Sequence, residues 1–358
     1  MSKIKTKESQ DDFMVLCAKI AKEKAEQVRR KLAGKGLIDN AYFPARDKEF
    51  VYFALVPAAK KPEVEKLGAK AAQKELAKRG APPKSLQDAL SGKLPAGSLE
   101  EVVRAFDIIG DIAVLEIPAS LEKYEKEIAD AVLTVHHNVK VVAKKLSGMQ
   151  GTFRVRELEV IGGERRTEAT YKESGALFKL DIGKVYFSPR LGTERLRIAK
   201  LVKKKERILA LFAGVGPFPI IIAKKHPDAE IVAIELNPDA VHYMKENIAL
   251  NKCENITPVL GDVREIVPAH YRNWADRVLM PLPRDAEKFL DVALAGAKKG
   301  AAIHLYSFAK QAGPYKKAEE RIAEECKKAG RKYRITASRV VRPFAPHVVQ
   351  AVVDFKVL

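Results

Sequence analysis

The chain has 358 residues, 47% of them hydrophobic, and carries 65 Lys and Arg against 46 Asp and Glu, a formal net charge of +19. That length supports two or three domains with their own cores, no stretch approaches the length of a membrane span, and the basic surplus favours a polyanionic partner such as nucleic acid. Cys17, Cys253 and Cys326 stand alone with no CxxC spacing, which argues against a disulfide framework or zinc knuckle, and MSKIKTKESQDDF lacks the apolar segment of a secretory signal, so a cytoplasmic protein is expected.

Residues 13 to 56 read as a small unit. The strand FMVLCAKI is followed by a basic helix around Glu23 to Leu32, a helix stop at GKG (34 to 36), and the strand EFVYFALV. With its flanks this gives a small first domain over 1–57. The segment 58–97 is rich in Lys, Ala and Pro, with APPK and LPAGS, and is expected to be a basic linker. Ser98 and Glu101 have capping-box spacing.

A second α+β domain is expected over 98–189. It holds the β-rich FDIIGDIAVLEIP, the helix SLEKYEKEIADAVLTV, and strands around VKVVAKKL, TFRVRELEVIGG and LFKLDIGKVYFSP. From 190 to 358 the pattern becomes regular. Strands RILALF, EIVAIE, ITPVLG, RVLM and AIHLYSF are separated mostly by helices, which implies a parallel, doubly wound sheet. YRITASRVV and HVVQAVVDFKV add an antiparallel hairpin at one edge.

In such a sheet, ligands bind beyond the carboxyl ends of the strands, and the loop after the first strand forms part of the site. AGVGPF (Ala213 to Phe218) occupies that position, with Gly214 and Gly216. A dinucleotide fingerprint needs a third glycine where Pro219 stands, and no GK[ST] follows to cradle a triphosphate. An adenosine ligand with little or no phosphate remains, and S-adenosylmethionine fits. Glu235, ending the second strand, has the place of a ribose-hydroxyl acceptor, and Asp262, after the third, that of an acceptor for the adenine amino group. The plain alternatives are a charged strand end for Glu235 and a helix N-cap for Asp262.

Just before the sheet, KVYFSPRLGTERLRIAKLV combines Tyr186 and Phe187, suited to stacking on a base, with Arg190, Arg195 and Arg197, suited to phosphate. Here too there is a plain alternative, Glu194 and Arg197 paired on one helix face.

Taken in order, FDIIGDIAVLEIP, GTFRVRELEVIGGE, YFSPRLGTER, FAGVGPF, IELNP, GDVR and MPLP resemble the archaeal and eukaryal tRNA (guanine-37-N1)-methyltransferase family. The resemblance covers about Asp107 to the C-terminus, and residues 13 to 56 look like that family's small first domain. It implies an α/β fold, a class I (Rossmann-like) methyltransferase domain with two smaller N-terminal α+β domains. It also implies methyl transfer from S-adenosylmethionine to N1 of the guanine beside the anticodon of tRNA.

Carried over by motif, the general base corresponds to Glu194 and the base-orienting arginine to Arg154, with Tyr186, Arg190 and Pro283 on the substrate side. Arg195, Phe212, Gly214, Glu235, Leu236, Asp262, Val263 and Pro281 are expected around the cofactor. These residue types suit the chemistry. Guanine N1 carries a proton at neutral pH that a carboxylate must take, and a guanidinium answers the charge that then develops at O6. No metal is required, because the sulfonium is already an activated donor, and no membrane or protein partner is implied, so a monomer is expected.

Two positions depart from the family: Ala210 stands where many members have Asp, and Pro281 where many have Asn. The related wybutosine-pathway aminocarboxypropyl transferases share the glycine loop but have a Gly-Asn pair where Arg190 and Leu191 stand here. That activity and a non-catalytic RNA-binding protein are the competing readings.

Overall fold

The structure, a computed structural model, describes residues 12–78, 83–94, 98, 106–148, 151, 153, 155–282 and 284–358. It divides into two units, Met1–Lys84 and Ser85–Leu358. No helix among the described residues is long and apolar enough to cross a membrane.

The first unit contains β1 (Asp12–Ala21), α1 (Ala25–Gly34), β2 (Ala45–Arg46), β3 (Phe50–Ala54), α2 (Lys61–Lys66) and β4 (Lys70–Ala77). Its antiparallel sheet has the order β2-β3-β1-β4. Side chains alternate along β1: Ala18 and Ile20 share a core with Val28 and Leu32 of α1, while Cys17 joins Tyr52, Ala54 and Leu76 in a second apolar cluster.

The linker expected over 58–97 is corrected here. Residues 70 to 77 pair with β1, Cys17 opposite Ala72, so the unit continues past Pro57. An Ala- and Lys-rich composition concealed the strand. Its alanines suit a flat sheet surface, Leu76 is buried, and the Lys74 ammonium lies 5.1 Å from the Tyr52 ring centre. Lysines on an edge strand also discourage pairing with other chains.

The second unit opens with α3 (Leu86–Leu90), capped by Ser85, whose hydroxyl accepts from the Asp88 N–H. The cap expected at Ser98 depends on Glu101, outside the described residues. There follow β5 (Asp107–Ile109), β6 (Ile112–Leu115), α4 (Glu125–Val135), β7 (Val141–Lys145) and β8 (Leu158–Gly163), a sheet of order β5-β6-β7-β8 with α4 packed on it. The hairpin of β9 (Glu168–Glu173) and β10 (Ala176–Asp181) is separate from that sheet.

The remainder is α5 (Gly192–Leu201), β11 (Arg207–Leu211), α6 (Pro217–Lys225), β12 (Glu230–Glu235), α7 (Pro238–Leu250), β13 (Ile256–Leu260), α8 (Val263–His270), β14 (Ala275–Met280), α9 (Leu290–Gly296), β15 (Ala297–Lys310), α10 (Lys316–Lys328), β16 (Tyr333–Ala345) and β17 (Val348–Val357). These strands form one sheet, β13-β12-β11-β14-β15-β17-β16, parallel through β15 and antiparallel at β17 and β16. The doubly wound sheet and its edge hairpin are as the sequence predicts. Ile208 and Ala210 of β11 enter one core while Leu209 and Leu211 enter the other, so the strand is covered on both faces. Strand order reverses between β11 and its neighbours β12 and β14, which places the crevice at the end of β11.

The boundary expected at 189 also shifts, because β10 is fastened to α7 by two asparagine side chains. Asn247 accepts from the Lys179 N–H (2.7 Å) and donates to the carbonyls of Lys179 (3.0 Å) and Val215 (3.1 Å). One helical turn later, Asn251 accepts from the Leu177 N–H and donates to the Leu177 carbonyl. The two amides stand in for a neighbouring strand. Asn247 is fully buried, so Asn247→Ala leaves three backbone groups without their partner, at about 1–3 kcal/mol each where no water replaces it. A fall of about 5 °C or more in the melting midpoint of this unit is expected in calorimetry. An unchanged midpoint would show that water replaces the amide.

Candidate active site

The strand ends build the first half of the site. After β11 the chain turns through Phe212 (φ +55°), Gly214 (φ +58°) and Gly216 (φ +85°) before α6 begins at Pro217. The glycines take this left-handed backbone without penalty, whereas Phe212 takes it at a cost of about 1–2 kcal/mol, its ring set edge-on against Phe289 at 4.9 Å. A side chain on Gly216 would press within 3.1 Å of Ile220 and Met244. Pro219, which broke the dinucleotide pattern, is buried in the first turn of α6.

Glu235 closes the loop from β12. It accepts from the backbone N–H of Gly214 (2.8 Å), Leu236 (2.9 Å) and Asn237 (2.8 Å). Burial pushes its carboxyl pKa up, and the three N–H donors oppose that rise. A carboxylate offers about four acceptor positions, so the side chain holds the loop and keeps capacity for a hydroxyl donor. Asn237 caps α7 and donates to the Lys184 carbonyl at 3.0 Å, fastening this strand end to the segment leading into Tyr186.

Asp262 is the N-cap of α8, Oδ1 accepting from the Arg264 N–H at 2.8 Å. Its other oxygen makes no hydrogen bond among the described residues. Leu236 is 40% exposed beside Glu235, as is Leu260 (53%) at the end of β13, an apolar rim at these two strand ends. Val263 has its side chain in the core, so a ligand contact there would fall to its main chain. Pro281 is half-buried at the end of β14. Ala210 is buried as the penultimate residue of β11, two residues before the turn at Phe212.

The second half is the Tyr186–Pro189 segment and α5. The Tyr186 carbonyl lies 3.8 Å from where a Cβ on Gly214 would stand, so the aromatic segment adjoins the glycine loop. Arg190 donates to Asp107 of β5 at 2.6 Å and is half-exposed. Arg342 of β16 donates to Gln350, and burial, with Arg190 also opposing its charge, lowers its pKa.

Arg195, expected around the cofactor, has its side chain buried and paired within the fold. Its guanidinium is 2% exposed, paired with Glu173 of β9 at 2.6 Å, donates to the Ser188 carbonyl at 2.7 Å, and lies over the Phe187 and Phe218 rings. It clamps β9, the aromatic segment and α6 together. Burial lowers the Arg195 pKa and raises that of Glu173.

Glu194, in the first turn of α5, is 3% exposed. Its Oε1 accepts from the Tyr306 hydroxyl at 2.7 Å and from Arg197, while Oε2 meets Arg197 Nε at 3.0 Å and Arg339 at 3.8 Å. Arg197 is therefore Glu194's partner, the plain alternative, and does not stand free for phosphate. Behind it runs a buried chain: Arg197 to Asp354 (2.6 Å), Asp354 to His304 Nδ1 (2.7 Å), His304 Nε2 to Arg277 (2.6 Å) and Arg277 to Glu206 (2.8 Å).

Arg277 has donors alone, so His304 Nε2 must accept and the single ring proton sits on Nδ1, facing Asp354. Burial, opposed by Asp354 and reinforced by Arg277 and Arg197, lowers the His304 pKa. Burial alone would raise Asp354, yet His304 and Arg197 outweigh it and hold that carboxyl below its ordinary value. Both shifts work against acid. Below about pH 6.5 the unfolded chain takes up a histidine proton that the fold refuses, so stability falls as pH drops, and the Asp354 contribution goes below about pH 4. The melting midpoint is expected to decline from pH 6.5 to 5, less steeply in His304→Gln. Equal slopes in the two proteins would contradict this.

Arg154 and Pro283 lie outside the described residues. Tyr306, His304 and Asp354 escaped the sequence reading. Their only signal is polar side chains in the otherwise apolar runs AIHLYSF and AVVDFKV, now seen as adjacent strands with His304 opposite Asp354.

The TRM5/TYW2 methyltransferase domain matches residues 169–336, a boundary that keeps β9 and β10 with the large sheet. The TYW2 N-terminal domain matches 86–167 and the tRNA methyltransferase 5 N-terminal domain 17–63. The chain is 41% identical to the tRNA (guanine(37)-N(1))-methyltransferase Trm5b of Pyrococcus abyssi, over 96% of this chain and 99% of that protein. To the Trm5b of Methanocaldococcus jannaschii it is 35% identical, over 96% and 99%. Among solved structures, that of the complex of aTrm5 and tRNALeu superimposes with a TM-score of 0.70 at 34% identity, over 96% of this chain and 100% of that one.

Proposed function

The chain belongs to the TRM5/TYW2 methyltransferase family, and from that premise we propose that it methylates N1 of guanosine 37 in tRNA, using S-adenosylmethionine. The observation that carries this reading is a buried carboxylate, Glu194, one tyrosine removed from the helix that follows the glycine loop. Tyr306 donates to Glu194, and its ring lies 5.9 Å from Phe218 of α6. Near-complete alignment with the Pyrococcus abyssi methyltransferase, first unit included, supports methyl transfer over the aminocarboxypropyl alternative.

The residues at the strand ends fit the cofactor. Gly214 and Gly216 present no side chain at the loop while that of Val215 is buried in the core, Glu235 keeps acceptor capacity for a ribose hydroxyl, and Asp262 has an uncommitted oxygen. Leu236 offers apolar surface to the adenosine, and Phe212 and Pro281 flank the turn. When bound, the cofactor supplies a methyl group on a sulfonium leaving group.

Glu194 takes the N1 proton. Arg197 and Tyr306 load Oε1, so Oε2, with fewer close donors, is the oxygen that accepts it. Arg154 answers the charge at O6, Tyr186 lines the pocket, and Arg190 and Pro283 contact the nucleotide. Such a base contributes about 10²–10⁴-fold to rate. The protein acts as a cytoplasmic monomer with a first domain that contacts tRNA.

The test is to incubate the full chain with a tRNA transcript bearing G37 and S-adenosylmethionine labelled in the methyl group or, in a parallel reaction, in the aminocarboxypropyl chain, then map the modified nucleotide. Methyl label on N1 of G37, and none from the aminocarboxypropyl chain, is expected. Label transferred only from the aminocarboxypropyl chain, or tRNA binding without transfer, would overturn the reading.

A further inference from the structure

We propose that Tyr306 is a positioning residue for Glu194, and that the buried Arg197–Asp354–His304 chain braces it, so that the carboxylate presents Oε2 to the substrate proton. This rests on the reading of Glu194 as the base.

Four groups meet or stand behind that carboxylate. Arg197 comes from the same helix, Tyr306 from β15, Arg339 from β16 and, behind Arg197, Asp354 from β17. Tyr306 is fully buried, and its hydroxyl donates to Oε1 at 2.7 Å. Burial and the neighbouring carboxylate push its pKa well above the ordinary value, so it stays protonated and acts as a donor, never as a base itself.

Arg197 alone would leave the carboxylate free to pivot about one guanidinium. The hydroxyl from a different strand fixes the second direction. Asp354 holds the far side of that guanidinium at 2.6 Å, and His304, locked in one tautomer by Arg277, holds Asp354. The chain thus anchors one helix-borne carboxylate to three strands of the sheet. A buried ion pair also gains stability from a further hydrogen bond on its carboxylate, so a positioning role is told from a structural one by the rate of transfer at saturating ligands.

A base turned out of line costs rate and leaves binding intact, so the two quantities separate a positioning role from a structural one. In the full-length enzyme with saturating tRNA and S-adenosylmethionine, Tyr306→Phe should slow single-turnover methylation about tenfold, with affinities for both ligands unchanged. Asp354→Asn, acting through Arg197, should slow the same step by less, again with both affinities unchanged.

Glu194→Gln is the reference. If it abolishes transfer while Tyr306→Phe and Asp354→Asn keep the wild-type rate at saturating ligands, this inference fails alone. If Glu194→Gln retains the wild-type rate, the base assignment fails and takes the inference with it. A Tyr306→Phe enzyme that is slower only through weakened ligand binding, and recovers the wild-type rate at saturating ligands, assigns the tyrosine a structural role and overturns the proposal.

Discussion

Glu194→Gln is expected to lower the single-turnover rate of methyl transfer by about 10²–10⁴-fold while changing S-adenosylmethionine affinity less than about twofold. The amide keeps the shape of the side chain, and its carbonyl can still accept from Tyr306 and Arg197. What it loses is the capacity to take a proton from N1. The substitution also places an amide where Arg197 expects an anion, so the melting midpoint is read alongside the rate. A slow but fully folded variant with normal ligand affinity is the expected result. A rate within a few-fold of wild type would remove Glu194 from the chemistry and leave it as an ion-pair partner of Arg197.

The second large effect is expected at Glu235. Its carboxylate holds the glycine loop through Gly214 and the start of α7 through Leu236 and Asn237. Glu235→Ala leaves these N–H groups without their acceptor and removes the hydroxyl acceptor assigned to the ribose. At about 1.5–3 kcal/mol for a charge-assisted hydrogen bond, S-adenosylmethionine affinity is expected to fall about 100-fold. At saturating cofactor the rate is expected to recover to within about tenfold, because Glu235 does not touch the base. Titration calorimetry separates the two quantities. Unchanged affinity would place the cofactor elsewhere.

The large sheet was legible because its strands are buried on both faces and so read as unbroken apolar runs between helices. The glycine loop was legible because left-handed backbone at a strand end favours glycine. Strand β4 was not, since alanine and lysine carry little strand signal, and it is the pairing with β1 that gives those residues a sheet conformation. Nor was the tie between β10 and α7, because Asn247 and Asn251 resemble any polar helix residues until a strand lies across them.

At the site, sequence marked Glu194, Glu235 and Asp262 by position, and the structure sets each in a distinct frame. Glu235 is bound into the loop, Asp262 caps a helix, and Glu194 is buried against Arg197 and Tyr306. The groups around Glu194 come from positions 197, 306, 339 and 354, a separation no local pattern encodes. Arg195 shows the converse: a motif residue whose side chain is turned inward onto Glu173 and Ser188, holding the aromatic segment in place.

The most direct test of the central claim is the distance from Glu194 Oε2 to guanine N1 in a crystal of the full chain with tRNA and S-adenosylhomocysteine. A value of about 3 Å, with the Tyr306 hydroxyl still on Oε1, is predicted. A nucleobase seated beyond about 6 Å from that oxygen, with no water bridging the two, would contradict the account.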